Sequence, residues 1–398
     1  MTTTVHHNWV TALEQKWLNN KRYWYLTSLL LPTLPLLSAF LAVHFEQGAW
    51  LWLVVPVGYV LVPLLDSIVG KDHANPSDEQ VDQLKNDRYF AHVLYGATAM
   101  HWAAMVGMAY VVSHWHWSWV AMLGAGLSAG LINGVGLAIG HELGHKATDQ
   151  EQTLAGKLVL ACCGYGHFIV EHNKGHHKDV ATPEDPASAR FGESLYRFAC
   201  RELPGALVRA WHLETQRLQR QDKRWWSPQN EILQQWSFTL LAYGLMLYFW
   251  GIVLVPFLFL AAGFGWWQLT LANYVEHYGL LRQKDTTGRY QRCEPKHSWN
   301  SNFKLSNLLL VHLQRHSDHH AHPTRPYQVL RDYHDVPQLP QGYFGMFLVA
   351  MIPPLWFAIM NHRVVAWAQG DMALVNLDPA QRETLMQRYH QPTQSANQ

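Results

Sequence analysis

Residues 141 to 146 read HELGHK, which contains H-E-x-x-H, the pattern of a zinc protease helix. In a helix this spacing puts His141 and His145 on one face, where both can grip one metal ion. Three further histidine groups follow. EHNKGHHKD at 171 to 179 supplies His172, His176 and His177, NYVEHYGL at 273 to 280 supplies His277, and HLQRHSDHHAH at 312 to 322 supplies His312, His316, His319 and His320. The i, i+4, i+7, i+8 spacing of the last group predicts a stripe on one helix face. A hydrolytic zinc needs three protein ligands and a structural zinc closes with four. Nine or ten clustered histidines exceed that and suit two metals with about four or five imidazoles each. Imidazole binds iron, copper, nickel and zinc, so ligand type leaves the metal open. Iron with open positions activates O2, which fits a site facing apolar surroundings.

The elements that carry these histidines read as membrane spans. Residues 24 to 43, 49 to 69, 90 to 112 and 117 to 140 contain no Lys or Arg and one acid, Asp66. Each is long enough to cross a hydrocarbon core of about 30 Å, and the apolar run 235 to 275 is long enough for two crossings joined near Pro256. Six spans result, in an all-α integral membrane protein with a cytoplasmic helical cap. Lys and Arg number three before the first span, three between spans two and three, twelve in 146 to 234 and twelve after 277. The positive-inside rule then places both termini and the 146 to 234 segment in the cytoplasm. The expected organisation is a cytoplasmic N-terminal segment (1–22), spans one to four ending in the first histidine box (23–145), a cytoplasmic segment with the second box (146–234), spans five and six ending in NYVEHYGL (235–279), and a cytoplasmic C-terminal segment with the last box (280–398). All four groups can then meet at the cytoplasmic edge of the bundle.

Other readings are narrowed by what accompanies the boxes. A net charge of +1 and the lack of a basic helix give no sign of nucleic-acid binding. The cysteines form no C-x-x-C pair and no G-x-G-x-x-G follows a strand pattern, so electrons for any redox chemistry come from another protein and no bound flavin or haem is expected. MTTTVHHNWV lacks the apolar region of a cleavable signal. The stretch 152 to 170, with Lys157, is expected on the cytoplasmic or membrane surface, and 343 to 361, interrupted by Pro353 and Pro354, as a re-entrant or interfacial segment. The last twenty or so residues are polar and expected to be mobile. A metal transporter would continue its ligands through the bilayer, whereas here only His101 lies deep in a span.

The boxes H-x3-H at 141 to 145, H-x3-H-H at 172 to 177 and H-x2-H-H at 316 to 320 resemble those of histidine-box di-iron hydroxylases and fatty-acyl desaturases. NYVEHYGL is narrower and resembles the membrane-bound alkane 1-monooxygenases; NGVGLAIGHELGHK, EHNKGHHKDVATPEDPASAR and LQRHSDHHAHPTRPY extend the likeness over about residues 20 to 370. The resemblance implies two non-haem irons held by His141, His145, His172, His176, His177, His277, His316, His319 and His320. It also implies O2-dependent terminal hydroxylation of medium-chain alkanes, electrons from rubredoxin reduced by an NADH-dependent reductase, and a place in the lipid of a bacterial cytoplasmic membrane. His312 lies outside the family's boxes and is expected to support the ligands. Glu142, Glu171, Asp185, Glu276 and Asp318 lie near ligands in sequence and are candidates to accept their outer N–H groups. An alkane offers no hydrogen-bond handle, so an apolar channel must aim its end at the metals. Counting back from His141 along one helix face gives Leu131, Gly134, Leu137 and Ala138 as channel candidates, and back from His277 gives Thr270, Asn273 and Tyr274. An acyl desaturase would share the boxes but need a headgroup or carrier site.

Overall fold

The computed structural model describes Trp17 and residues 20 to 389. Among these residues it contains helices and isolated bridges but no strand. In chain order the helices used below are α1 (Leu30–His44), α2 (Val62–Val69), α3 (Tyr89–His114), α4 (Trp119–Gly144), α5 (Gln150–Cys163), α6 (Phe168–Asp179), α7 (Leu195–Gln219), α8 (Glu231–Trp250), α9 (Leu254–His277), α10 (Lys304–Leu309), α11 (His316–Ala321), α12 (Tyr343–Ala350), α13 (Pro353–Trp367) and α14 (Arg382–Tyr389).

Four helical stretches are long and apolar enough to cross a membrane: Asn20–His44, Gly48–Val69, Trp119–Gly144 and Leu254–His277. The count rises to six if the two bent pairs are each one span: α5 with α6, bent by 117°, and α12 with α13, bent by 118°. Where the third and fifth spans are expected the chain forms the unbroken helices α3 and α8, of 26 and 20 residues, which are not among the stretches apolar enough to cross a membrane. The bend after α12 falls at Met351 and Ile352, where Pro353 and Pro354 open the next helix without the N–H groups that would continue the first. The bend after α5 follows Gly164, whose left-handed backbone (φ 70°) ends that helix. Large apolar side chains on α1, α8 and α9 face outward, among them Phe40, Tyr248 and Phe259, as they must where the solvent is lipid.

The centre of the bundle is α4 against α9. An added Cβ at Gly126, Gly130 or Gly134 would meet Leu260, Phe264 or Gln268 of α9 at 2.7 Å or less, so this row of small residues sets the close approach of the two helices. His101 is held within the bundle by Asn133, its Nε2 2.9 Å from the Oδ1, and Asn133 donates in turn to the Ala261 carbonyl. His141 in the last turn of α4 and His277 at the end of α9 thereby come to the same end of the bundle. The α5 segment is buried on its Gly156, Val159 and Leu160 face and packs along α4, with Lys157 bonded to Gln234 at 2.9 Å. The C-terminal stretch expected to be mobile begins with helix α14, and its remainder lies outside the described residues, as does the N-terminal decapeptide.

Candidate metal centre

The nine histidines of the boxes fall into two groups. His141, His145, His172, His177 and His319 form one, His176, His277, His316 and His320 the other, and within each group the possible ligating atoms lie within 4.8 Å of one another. Local backbone explains the sorting. The first box ends α4, with His145 at the helix C-cap. The second sits on a π turn, His172–His176, inside α6. A π turn brings residue i+5 above residue i, so His172 faces His177, at 3.0 Å between Nε2 atoms, while His176 points to the other group. In α11 ordinary helical spacing pairs His316 with His320 at 2.8 Å and turns His319 toward His141, also at 2.8 Å.

The rings meet by their Nε2 atoms, while His145 Nε2 and His176 Nε2 are buried without a hydrogen-bond partner among the described residues. Neutral imidazoles facing one another in this way leave lone pairs directed at a common centre, a donor set that fits a cation. Burial, followed by repulsion from neighbouring imidazoles, holds His316, His319 and His320 well below the usual histidine range, which keeps those lone pairs available.

The residues expected around the ligands have varied partners. Asp185 accepts from His176 Nδ1 at 2.9 Å, and Ser188 and Arg209 bond the same carboxylate. Burial would raise this carboxyl, but His176 and Arg209 outweigh it and hold it below the usual carboxylate range. Glu171 pairs with Arg209 rather than with an imidazole. Glu142 takes Lys146 and the Tyr327 N–H, and Asp318 takes His322, Arg325, Tyr333 and the Arg331 N–H. Glu276 lies 3.2 Å from His316 Nε2, on the inner side of the ring. The continuous stripe from His312 is absent: α10 ends at Leu309, Val311 and His312 take positive φ (46° and 58°), and α11 starts at His316. The His312 N–H closes that turn on the Asn307 carbonyl at 2.7 Å, and its ring meets Tyr25 Oη at 3.1 Å, away from both groups.

An apolar cavity reaches the centre from the α4–α9 interface. Leu131, Gly134, Leu137, Ala138 and Asn273 line it, together with His141, His172 and His316. Thr270 and Tyr274 lie outside it. The cavity face of α9 is Gln268, Leu269, Ala272, Asn273 and Glu276, rotated from the face counted back from His277; Tyr274 instead donates to the Glu193 carbonyl and packs on Trp356. Phe168, Tyr343, Phe344 and Phe347 complete the wall, and the aromatic run beginning at 343 is the sequence signal that could have placed α12 there.

Two groups near the centre had no signal in the boxes. Arg209 on α7 joins Glu171 and Asp185. Glu202, two turns earlier on the same face of α7, is buried and accepts from Thr270 Oγ1 at 2.8 Å and Asn273 Nδ2 at 3.2 Å. Burial pushes its carboxyl up to about 7, from 4.5. The folded protein therefore keeps this proton through a window in which the unfolded chain has lost it. Stability from Glu202 is full below about pH 4.5 and declines as pH rises to about 7, by about 3 kcal/mol. Glu202→Gln is expected to flatten the fall in unfolding free energy over that window, measured by denaturation in detergent at stepped pH. Equal slopes for the two proteins would remove the assignment.

The model of the fatty acid desaturase family matches residues 117–350. Alkane 1-monooxygenase of Ectopseudomonas oleovorans is 48% identical over 374 residues, 94% of this chain and 93% of that protein. Alkane 1-monooxygenase 1 of Alcanivorax borkumensis is 48% identical over 378 residues, 95% and 93% of the two chains. Alkane 1-monooxygenase of Pseudomonas putida is 47% identical over 374 residues, 94% and 93%. Likeness of this depth along nearly the whole length, joined to the two histidine groups at the end of an apolar cavity, shows that the chain belongs to the alkane 1-monooxygenases, within the fatty acid desaturase family.

Proposed function

We propose that the protein hydroxylates the terminal methyl group of medium-chain alkanes with O2 at a non-haem di-iron centre. His141, His145, His172, His177 and His319 would hold one iron and His176, His277, His316 and His320 the other. The observation that carries this reading is the junction of two buried all-imidazole groups with an apolar cavity whose lining includes members of both. With two electrons and two protons such a pair of irons supplies O2 cleavage, with one oxygen atom inserted into a C–H bond and the other leaving as water.

The chain's own residues have three tasks. Leu131, Leu137, Ala138 and the α12 aromatics exclude water and orient the alkane by shape alone, since nothing in the substrate accepts or donates a hydrogen bond. Asp185 fixes the tautomer and aim of His176 through Nδ1. Glu276, on the inner side of His316 and in the cavity wall, is the carboxyl nearest the reacting space and is placed to hold a proton there.

Electrons would come from rubredoxin, itself reduced by an NADH-dependent reductase. The basic groups Arg220, Lys223 and Arg224, after α7, would meet an acidic donor, whereas the neighbouring Arg217 is committed to Glu214 and Glu231. The charge distribution favours a multi-pass protein of the cytoplasmic membrane with both termini and the centre on the cytoplasmic side. The test is metal analysis of the purified protein together with product analysis on octane and on acyl substrates, supplied with reduced rubredoxin. Two irons per chain and 1-octanol are expected. One zinc with hydrolytic activity, or products from acyl substrates alone, would overturn the proposal.

A further inference from the structure

Beyond the nine histidines the fold brings together a smaller group on another surface. His73 follows α2, and Asp332 and His334 follow the last histidine box; their possible ligating atoms all lie within 4.8 Å of one another. We propose that His73, Asp332 and His334 form a third metal site, for a divalent cation of the zinc class, that ties these two loops together.

Asp332 carries the argument. Its side chain is 1% exposed, yet among the described residues its only ionic partner is His73, whose Nδ1 lies 2.6 Å from Oδ2; the other oxygen accepts from Asn302 Nδ2. A buried carboxylate opposed by one imidazole and no lysine or arginine is short of positive charge, and a cation supplies it. Two imidazoles and one carboxylate form the borderline donor set that selects zinc, nickel, cobalt or copper over magnesium and calcium. His73, 51% exposed, leaves a solvent side where water can complete the coordination. Ligands of a tetrahedral zinc sit about 3.3 Å apart at bonds of about 2.0 Å, so the His73 ring must withdraw by roughly 0.7 Å, which a side chain half in solvent can do.

The backbone beneath is already fixed. Asn75 bonds both the Asp332 carbonyl, at 2.9 Å, and the Asp332 N–H, at 2.7 Å, and the Asp72 N–H bonds the Asn302 carbonyl at 2.8 Å. The same loops hang on the last box. Arg315 donates to the Asp72 and Leu330 carbonyls, while Asp318 accepts from the Arg331 N–H at 2.8 Å and from Tyr333 Oη at 3.0 Å. A cation at this surface would therefore brace the segment that carries His316, His319 and His320 without touching them.

The test is zinc uptake by the full-length protein with its main centre loaded. After incubation with zinc chloride and dialysis, the wild type is expected to retain one zinc per chain more than the His73→Ala, His334→Ala double variant, and zinc is expected to raise the Tm of the wild type alone. Asp332→Asn is a second variant that should lose the same equivalent. Equal zinc retention by the wild type and the double variant would overturn the proposal. The reading is a difference between proteins, so it stands or falls apart from the identity of the metals held by the nine histidines.

Discussion

If each histidine group holds one metal as proposed, His277→Ala is expected to lose one of the two and to abolish alkane oxidation, with a fall on the order of 10³-fold or more, about 4 kcal/mol of transition-state stabilisation. The four-histidine group has no spare ligand: without His277 it keeps His176, His316 and His320, and its missing member is also the one rigidly mounted at the end of α9. His145→Ala should be milder. It leaves His141, His172, His177 and His319, four imidazoles that still suffice for one ion, and His145 stands at a helix C-cap rather than within the helix. Metal content per chain and octane turnover, measured for both variants, decide the matter. If His145→Ala lost as much metal as His277→Ala, the division into five and four would have no functional meaning.

Arg209→Met should lower stability by about 3–5 kcal/mol, the cost of leaving one side of a buried ion pair without its partner. Arg209 joins Glu171 and Asp185, whose side chains are 8% and 0% exposed, so its removal strands two carboxylates together. Repulsion between them would also disturb the Asp185 contact that orients His176. Arg209→Lys should recover only part of the loss, because a single ammonium cannot repeat the forked bonds to both acids. Denaturant unfolding in detergent gives the ordering wild type, Lys, Met. A Met variant within about 1 kcal/mol of wild type would mean that solvent or a nearby proton already compensates the acids.

The histidine groups were legible because side chains that converge in space recur at helical intervals in short segments. Their supporters were not, because Arg209 and Glu202 lie on α7, far along the chain from the groups they touch, and a charged residue in sequence looks the same whether solvated or buried. All four residues counted along α4 line the cavity, but only Asn273 of the three counted along α9 does. On α4 glycines and His141 mark the contact side, while on α9 Thr270 and Tyr274 share a face with His277 yet satisfy Glu202 and the Glu193 carbonyl. Asp66, the one acid in the apolar runs that read as spans, accepts the Ser306 N–H at 3.0 Å and so anchors α10 to α2, a role visible only once both ends are placed.

The π turn at His172–His176 gives the second and third boxes a common grammar. His172 and His177 serve the five-membered group while His176 crosses over; His316 and His320 serve the four-membered group while His319 crosses over. Each triplet thus places two rings in one group and one ring in the other, in opposite senses, as in a handclasp. The spacings H-x3-H-H and H-x2-H-H differ by one residue, and the wider turn absorbs that residue, so both spell the same device. Deleting Lys174 would convert the second box to the spacing of the third, and an ordinary helical turn would then still bring His172 over His177.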